Sequence, residues 1–374
     1  MPKAKPANIQ PKRILVITLR YLGDTLLTTP LLNALHQAYP QAAIDVLLPA
    51  ANAGMLAGNP AVAQIVEMPV KPKLWTFLRF LAGLYRRYDW AIAAQDGDRP
   101  ALCAIIAGKR SLGFVPEALG KAWWKKLLFS DALVFPRDYR HPLLENLRFC
   151  EVLGVEPCYR LTPPCSDQKP PVEPLKPYAV LHIMPQWRYK QWHSAGWRAL
   201  IDYLTKSGLQ VVLSGSGHPA ERQVLNEIVA DAAAVPIDVS GRLSLAQLAD
   251  LIGGAALFVG PDTGITHMAA ATGTPTIALF GPTDPRKWAP WPVGYENAQA
   301  PFAARGSRRV GNVYLIQGHT DKECLPCQLE GCERHRNSHS ECLDDLPVQT
   351  VIRAVDEFIS QAKSSRENPV AYYS

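Results

Sequence analysis

The stretch "VGPDTGITHMAAATGTPTIALFGPTDPRKWAPW", residues 259–291, contains the pattern that decides the fold. It follows an apolar run at 255–259, which predicts a buried strand, and turns through Gly260 and Pro261 into the start of a helix. A second apolar run, 274–280, predicts the next strand. Strand, helix and strand in this order indicate a βαβ unit with parallel strands.

The same alternation extends along the chain of 374 residues. Further strands are predicted from short apolar or β-branched runs, at residues 14–18, 44–48, 65–66, 90–94, 178–183, 210–214 and 236–239. Helices are predicted between and after them, at 24–39, 52–57, 74–88, 194–206, 220–232 and 348–362. This length, with 48% hydrophobic residues, favours two globular α/β domains.

A proline-rich segment, "LTPPCSDQKPPVEPLKP" at 161–177, lacks periodicity and predicts the domain boundary. We expect an N-terminal α/β domain over 1–170 and a C-terminal one over 171–347. A helix and a polar tail follow at 348–374. Ligands of such parallel sheets bind beyond the carboxyl ends of the strands, and a two-domain chain adds a cleft between its halves.

The apolar runs of the sequence predict where the protein is located. No run is long enough to span a bilayer, and no hydrophobic segment follows the basic N-terminus as in a signal peptide. We therefore expect a cytoplasmic protein whose eight cysteines are mostly reduced. The net charge of +6 permits an anionic partner such as a nucleotide or an acidic membrane surface.

The first strand ends in "TLRYLGDTLLTTP", residues 18–30, which predicts a tight turn at Gly23 and a helix start at Asp24. Spacing alone favours Asp24 as the helix N-cap, because Asp is common at that position. The alternative is a general base at the mouth of the sheet. Arg20 is either a solvated charge or a contact to phosphate or acceptor.

The turn at 260–267 points more strongly to a ligand. A helix N-terminus presents unpaired N–H groups and a positive dipole, which favour phosphate oxygens. Thr263 and Gly264 allow close backbone approach, and Asp262 and His267 add polar groups that a packing turn does not need. The alternative is a structural N-cap with a core histidine. The convergence of polar groups favours ligand binding.

Two further turns carry candidate residues in the second half. In "MPQWRYKQWHSAGW", residues 184–197, Lys190 follows a strand and could neutralise a leaving diphosphate, or it could lie over the tryptophans. In "LSGSGHPAER", residues 213–222, Glu221 follows a glycine-rich turn and either caps its helix or binds a ribose.

Four other features remain open to more than one interpretation. Asp96 and Asp98 resemble an acidic pair that holds a metal–nucleotide, but a turn is favoured. Cys324, Cys327, Cys332 and Cys342 could hold Zn²⁺, although free thiols are favoured because the spacing is irregular. The aromatic and basic stretches at 74–90 and 121–129 are packed helices by default, and could also touch an acidic bilayer.

The chain resembles glycosyltransferase family 9, the bacterial lipopolysaccharide heptosyltransferases, over nearly its whole length. The resemblance rests on four segments: "RILVITLRYLGDTLLTTPLLNAL", "RYKQW", "GPDTGITHMAAATGTPTIALFGPTDPRKWAPW" and "CLPCQLEGCERHRNSHSECL". The cysteine-rich segment, together with the stretch around Lys190, looks most like the heptosyltransferase III type.

The resemblance implies a GT-B fold, two Rossmann-like domains with parallel sheets facing across a cleft, the last helix crossing back to the first domain. It implies inverting, metal-independent transfer of heptose from ADP-heptose to the lipid A-linked inner core, without a cofactor or nucleic acid. That acceptor would place the enzyme in the cytoplasm or at the cytoplasmic face of the inner membrane. The implied site residues are the base Asp24, the phosphate-binding Lys190, the donor-binding Glu221, Asp262, Thr263, Gly264 and His267, and Arg20 and Gly23 on the acceptor side.

Three rival functions stay open from the sequence. A family member could use a different nucleotide sugar, or the chain could be a non-catalytic nucleotide-sugar-binding protein. The presence of both Asp24 and Lys190 argues against the second, because a binding protein needs no acceptor base. A zinc-dependent nucleic-acid binder would need the cysteine cluster to hold metal.

Overall fold

The computed structural model describes residues 10–118, 120–135, 140–230, 232, 234–318 and 323–367, with side chains up to residue 360. The chain divides into two compact units between Thr162 and Pro163. This division falls inside the proline-rich segment predicted as the domain boundary. No helix of the described ranges is both long and apolar enough to cross a membrane.

The first unit is built on a sheet of six strands in the order β3-β2-β1-β4-β5-β6. All neighbours are parallel. The central strands are buried apolar runs because helices cover both faces of the sheet. The strands are β1 (Arg13–Ile17), β2 (Ala43–Pro49), β3 (Gln64–Met68), β4 (Tyr88–Ala93), β5 (Gly108–Pro116) and β6 (Asp131–Phe135).

The helices of the first unit connect these strands, together with a 3-10 helix at Ala50–Leu56. They are α1 (Leu22–Leu26), α2 (Thr29–Ala38), α3 (Leu74–Leu84), α4 (Asp98–Ala107), α5 (Trp123–Leu128) and α6 (Pro142–Leu153). The prediction of one helix over 24–39 is wrong. Pro30 lacks an N–H and opens a second helix, and the hydroxyls of Thr28 and Thr29 donate to the carbonyls of Asp24 and Leu26.

The second unit repeats the same plan. Its seven strands lie in the order β12-β13-β11-β10-β7-β8-β9. All neighbours are parallel except β12 and β13, which pair antiparallel at the edge. The strands are β7 (Tyr178–His182), β8 (Gln210–Ser214), β9 (Ile237–Asp238), β10 (Leu257–Pro261), β11 (Thr276–Phe280), β12 (Arg308–Val310) and β13 (Val313–Gln317).

Helices also follow the strands of the second unit. They are α7 (Ser194–Lys206), α8 (Pro219–Val229), α9 (Leu245–Gly253), α10 (Gly264–Ala271), α11 (Pro285–Trp288), α12 (Glu341–Asp344) and α13 (Val348–Glu367). The first half of α13 contacts α7, β11 and β13, and its Val351, Val355 and Phe358 join the core of this unit. The predicted crossing of this helix to the first domain stays a prediction.

Both parallel sheets share one strand order. Counting from the first strand of each unit and setting β12 aside, each runs 3-2-1-4-5-6, the order of dinucleotide-binding folds. The prediction of two Rossmann-like α/β domains is confirmed. In such sheets the order reverses between strands 1 and 4, and the crevice at their carboxyl ends is where ligands bind. The structure therefore has two such positions, β1/β4 and β7/β10.

Candidate functional site

Lys190 and Asp262 meet at the β7/β10 position of the second unit. Lys190 ends a short 3-10 turn that follows β7, and Asp262 follows β10 directly. The Lys190 Nζ donates to Asp262 Oδ2 across 2.6 Å, and the two side chains are 17% and 6% exposed. An ammonium held this way has a fixed position, yet it keeps N–H donors for a further anion.

The N-terminus of α10 lies beside this pair. Thr263 is the N-cap of α10, and its hydroxyl accepts from the Thr266 N–H at 3.4 Å. The alternative that this turn contains a structural N-cap is therefore correct for Thr263. Gly264 is the first helical residue. The eight-residue helix directs its positive end toward the carboxyl edge of the sheet. A cap satisfies only one of the free N–H groups, so the others stay available to phosphate oxygens.

His267 is buried one turn into α10, and its Nδ1 has no hydrogen-bond partner within the described part of the chain. Burial lowers the pKa of His267 to about 4; Asp262 opposes this lowering and Lys190 adds to it. The imidazole is therefore neutral near pH 7. A buried ring nitrogen without a partner is an unfavourable arrangement that a ligand or water would relieve.

Glu221 lies in the first turn of α8, where His218 and not Glu221 is the N-cap. The capping alternative for Glu221 is therefore wrong. Its Oε2 accepts from the backbone N–H of Ser216 at 2.9 Å and also from the Ser216 hydroxyl. The carboxylate thus holds the glycine-rich turn after β8. The carboxylate therefore lies after the strand next to β7, and its contact with a ribose stays a prediction.

Arg20, Gly23 and Asp24 follow β1 at the β1/β4 position of the first unit. The favoured prediction that Asp24 caps the helix is wrong. The N-cap of α1 is Tyr21, and Asp24 is a half-buried residue of the first turn, near the positive end of the helix. Gly23 lies inside α1 and not in a turn before it. The Arg20 guanidinium reaches the Asp96 carbonyl at 3.5 Å.

Asp96 and Asp98 form an ion cluster with Lys125 and not a metal–nucleotide site. The Lys125 Nζ is 3.1 Å from Asp96 and 3.0 Å from Asp98, and its side chain is 4% exposed. Burial is the largest single effect on Lys125 and lowers its pKa. The two carboxylates together outweigh burial, so the pKa of Lys125 is raised overall. The lysine stays charged and links α5 to the start of α4.

Three polar residues at the carboxyl edge of the second sheet were not predicted. Thr283 follows β11, and its buried hydroxyl has no partner among the described residues. His182 ends β7, with its Nδ1 3.1 Å from the Ser214 hydroxyl at the end of β8. Burial lowers the pKa of His182 to about 4. Each of these residues lies at or just after the end of an apolar run, and this position could have identified it from the sequence.

The cysteine cluster gathers around the buried Cys342. Burial raises the pKa of its thiol to about 12, and Cys327, Cys332 and Cys324 raise it further. Over the ranges that the structure describes, however, no three His, Cys, Asp or Glu side chains are arranged to hold a metal ion. The described cysteines are free thiols.

Comparison with known proteins identifies the family. The profile of Glycosyltransferase family 9 (heptosyltransferase) matches residues 155–312. Lipopolysaccharide heptosyltransferase 3 of Escherichia coli K12 is 30% identical over 290 residues, which cover 73% of this chain and 83% of that protein. The chain belongs to glycosyltransferase family 9. It is therefore a glycosyltransferase, and the resemblance predicted from the sequence is confirmed.

Solved structures of the family share the fold. The structure of Escherichia coli ADP-heptose lipopolysaccharide heptosyltransferase II matches with a TM-score of 0.72 and 21% identity, over 94% of this chain and 99% of that one. The Escherichia coli heptosyltransferase WaaC, solved with ADP, has a TM-score of 0.66, with 20% identity and coverage of 92% and 99%. The family fold is GT-B, which confirms the predicted fold class.

Proposed function

We propose that this glycosyltransferase moves a heptose from ADP-heptose to the inner core of lipopolysaccharide, with inversion at the anomeric carbon. Support comes from the names of the similar proteins, which are lipopolysaccharide heptosyltransferases, one of them solved with ADP. The observation that carries the proposal is the Lys190–Asp262 pair beside the N-terminus of α10. It combines an ammonium group with backbone N–H donors at a position where such sheets bind nucleotides.

The donor is held by its diphosphate in this proposal. Lys190 contributes a buried ammonium, and the first turn of α10 contributes N–H groups at Thr263 and Gly264. The neutral His267 faces the same charges, since both Asp262 and Lys190 act on its pKa. Glu221, fixed on the turn after β8, accepts the ribose hydroxyls. These cations and dipoles offset the charge of the departing ADP, so the proposal includes no metal.

The transfer is a single in-line displacement. Asp24 accepts the proton of the acceptor hydroxyl, and that oxygen forms a bond to the anomeric carbon. The bond from this carbon to the ADP oxygen breaks, and its electron pair leaves with ADP. The half-buried Asp24 lies just after β1, in the first turn of α1.

The proposed acceptor is a heptose of the lipid A-linked core. The proposed step is the one that enzymes of the heptosyltransferase III type carry out. Arg20 lies next to Asp24 on the same edge of the first sheet, where a cation would bind the anionic core. A lipid-linked acceptor places the enzyme at the cytoplasmic face of the inner membrane.

The core oligosaccharide of a strain lacking this gene tests the proposal. We expect mass spectrometry to show a core that lacks one heptose and whatever is attached to it. Restoring the gene returns the wild-type mass, and restoring it with Lys190→Met does not. An unaltered core in the deletion strain contradicts the proposed acceptor. Loss of a different sugar contradicts the proposed donor and favours another nucleotide sugar.

A further inference from the structure

We propose that the outer sides of α3 and α5 form a membrane-docking face that binds an anionic phospholipid surface. We define this face by the exposed apolar side chains of the two helices: Leu74, Trp75, Leu78, Trp123, Leu127 and Leu128. The inference deepens the proposed function, because it rests on an acceptor carried by a lipid.

The apolar surface of helix α3 is wider than the side that it buries. Its inner side chains belong to or pack on the core of the first unit, with Leu81 and Leu84 buried and Phe77 and Phe80 packed against them. Its outer side presents Leu74 at 68% and Trp75 at 80% exposed. A surface helix normally has one apolar stripe and a polar opposite face. The exposed apolar side chains of α3 therefore predict a second apolar neighbour.

Helix α5 repeats this arrangement over six residues. Trp124 packs inward on the same core cluster as α3, and Lys125 is buried. The adjacent Trp123 and Leu127 point outward at 61% and 72% exposed. Large exposed apolar side chains are ordinary when single, but several on adjoining helices indicate an interaction surface.

The two helices belong to one layer of the first unit. Helix α3 contacts α4, and Lys125 of α5 bonds Asp98, the first residue of α4. Phe77, Phe80 and Trp124 all pack against one core cluster. Because α3, α4 and α5 lie on the same side of the sheet, their outward side chains face the same way.

Basic side chains predominate in the sequence around this face. Residues 69–88 contain five basic side chains and no Asp or Glu. Residues 120–130 add Lys121 and Lys126, whereas the buried Lys125 is neutralised by Asp96 and Asp98. Tryptophan and leucine ringed by lysine and arginine are the composition of a segment that lies in an anionic lipid interface. A second copy of the chain would bring the same positive face, so symmetric pairing would juxtapose like charges.

The direction of the helices connects this face with the proposed acceptor site. In a parallel α/β sheet each helix begins at the carboxyl edge of the preceding strand. Trp75 and Trp123 stand in the first turns of α3 and α5, so they lie toward the edge where Arg20 and Asp24 follow β1. Docking through this face would present a membrane-anchored sugar to that edge.

Vesicle flotation of the purified full-length protein tests the proposal. The probes are vesicles of phosphatidylcholine alone and vesicles of phosphatidylcholine mixed with phosphatidylglycerol, each at low and high salt. The first variant pair is Trp75→Ser with Trp123→Ser, and the second is Lys73→Gln with Lys126→Gln. The matched control is Leu175→Ser with Val235→Ser, which removes side chains that are 77% and 88% exposed in the second unit.

We expect the wild-type protein and the control to float with the anionic vesicles and to release at high salt. Each variant pair should lower the partition by about tenfold or more. The lysine pair leaves the apolar residues in place, so it tests the proposal even if the tryptophan pair folds poorly. The proposal is wrong if the wild-type protein does not float or if both variant pairs float like it. A dimer that the tryptophan pair dissociates, without flotation, assigns the face to a second copy instead.

Transfer to a delipidated core oligosaccharide, measured with the same proteins, separates this proposal from the proposed function. We expect the tryptophan pair to keep wild-type transfer to this acceptor, which needs no membrane. Flotation without any transfer would overturn the heptosyltransferase activity and leave the docking face standing. Transfer without flotation would overturn the docking face alone.

Discussion

Replacing Lys190 by methionine removes an ammonium group that has two roles. In the folded protein it neutralises the buried Asp262 carboxylate at 2.6 Å. In the proposed reaction it also binds the donor diphosphate. Methionine keeps the length and apolar stem of the side chain and removes the charge, so both roles are lost while packing is largely kept.

The loss of stability follows from the burial of the pair. At an effective dielectric constant of about 20, the attraction at this distance is about 6 kcal/mol, partly offset by the desolvation of both groups. Removing one partner leaves the Asp262 carboxylate, 6% exposed, without its cation. We expect Lys190→Met to lower the free energy of unfolding by about 3–5 kcal/mol.

A second substitution isolates the binding role. Asp262→Asn combined with Lys190→Met leaves no unpaired charge, so the double variant should regain most of the lost stability in urea denaturation. It should still bind ADP weakly, since a charge-assisted bond to phosphate contributes about 1.5–3 kcal/mol, or roughly 10- to 100-fold in Kd. Lys206→Met, at an exposed lysine in the same unit, is the matched control.

Isothermal titration with ADP decides the result. The account is refuted if the double variant, shown to be folded, binds ADP as tightly as the wild type. Lys190 would then be a structural partner of Asp262 and not a ligand of the diphosphate. Equal loss of affinity in Lys206→Met would reduce the effect to general electrostatics.

Three further predictions concern the supporting residues. A Cβ at Gly215 would overlap Glu221 Oε1, so Gly215→Ala should displace that carboxylate and weaken ADP binding about five- to tenfold, as titration would show. Unchanged affinity would count against a ribose contact. Burial lowers the pKa of both His182 and His267 to about 4, so the unfolded chain takes up protons first as pH falls from about 6.5. The free energy of unfolding should decrease by about 3 kcal/mol per histidine as the pH falls from about 6.5 to about 4. His182→Asn should reduce this dependence on pH, as urea melts at pH 7 and pH 4.5 would show. An unchanged dependence would exclude His182 as a source. Lys125→Met should cost only about 1–2 kcal/mol, since its partners are 32% and 79% exposed and water can solvate them; a loss as large as that of Lys190→Met would contradict this solvent argument.

Long, buried apolar runs made most strands predictable from sequence. The predicted strand at 210–214 and the predicted helix at 194–206 coincide with β8 and α7. These segments combine a clear period with turn residues at both ends, so local and tertiary preferences agree. The boundaries of β10 were shifted because Gly260 and Pro261 were taken as the turn, whereas the strand continues through Pro261.

Strands with mixed composition could not be predicted in this way. Strand β5, "GKRSLGFVP", contains glycine, lysine, arginine and serine, yet it lies inside the sheet between β4 and β6. Its strand conformation is stabilised by pairing with both neighbours, and that is a tertiary effect. The edge strand β12 has only three residues and gives no periodic signal.

The sequence predicted which residues lie at the carboxyl edges of the sheets. It did not predict which side chains bond to each other there. Asp24, Lys190 and Asp262 each follow an apolar run, which places them at the carboxyl edge of a sheet. The pairing of Lys190 with Asp262 depends on β7 and β10 being neighbours, and only the strand order determines that. The same holds for Lys125 and its two carboxylates, since α5 meets the start of α4 only in the folded unit.

The most direct test of the central claim measures transfer and donor binding together for Asp24→Asn. The account predicts that the variant binds ADP with wild-type affinity and transfers heptose from ADP-heptose to a purified core acceptor about 100-fold more slowly, or slower still. Glu67→Gln, at an exposed carboxylate of the same unit, should keep the wild-type rate. Wild-type turnover by Asp24→Asn would contradict the account, because the Asp24 carboxylate would then not be needed to activate the acceptor hydroxyl.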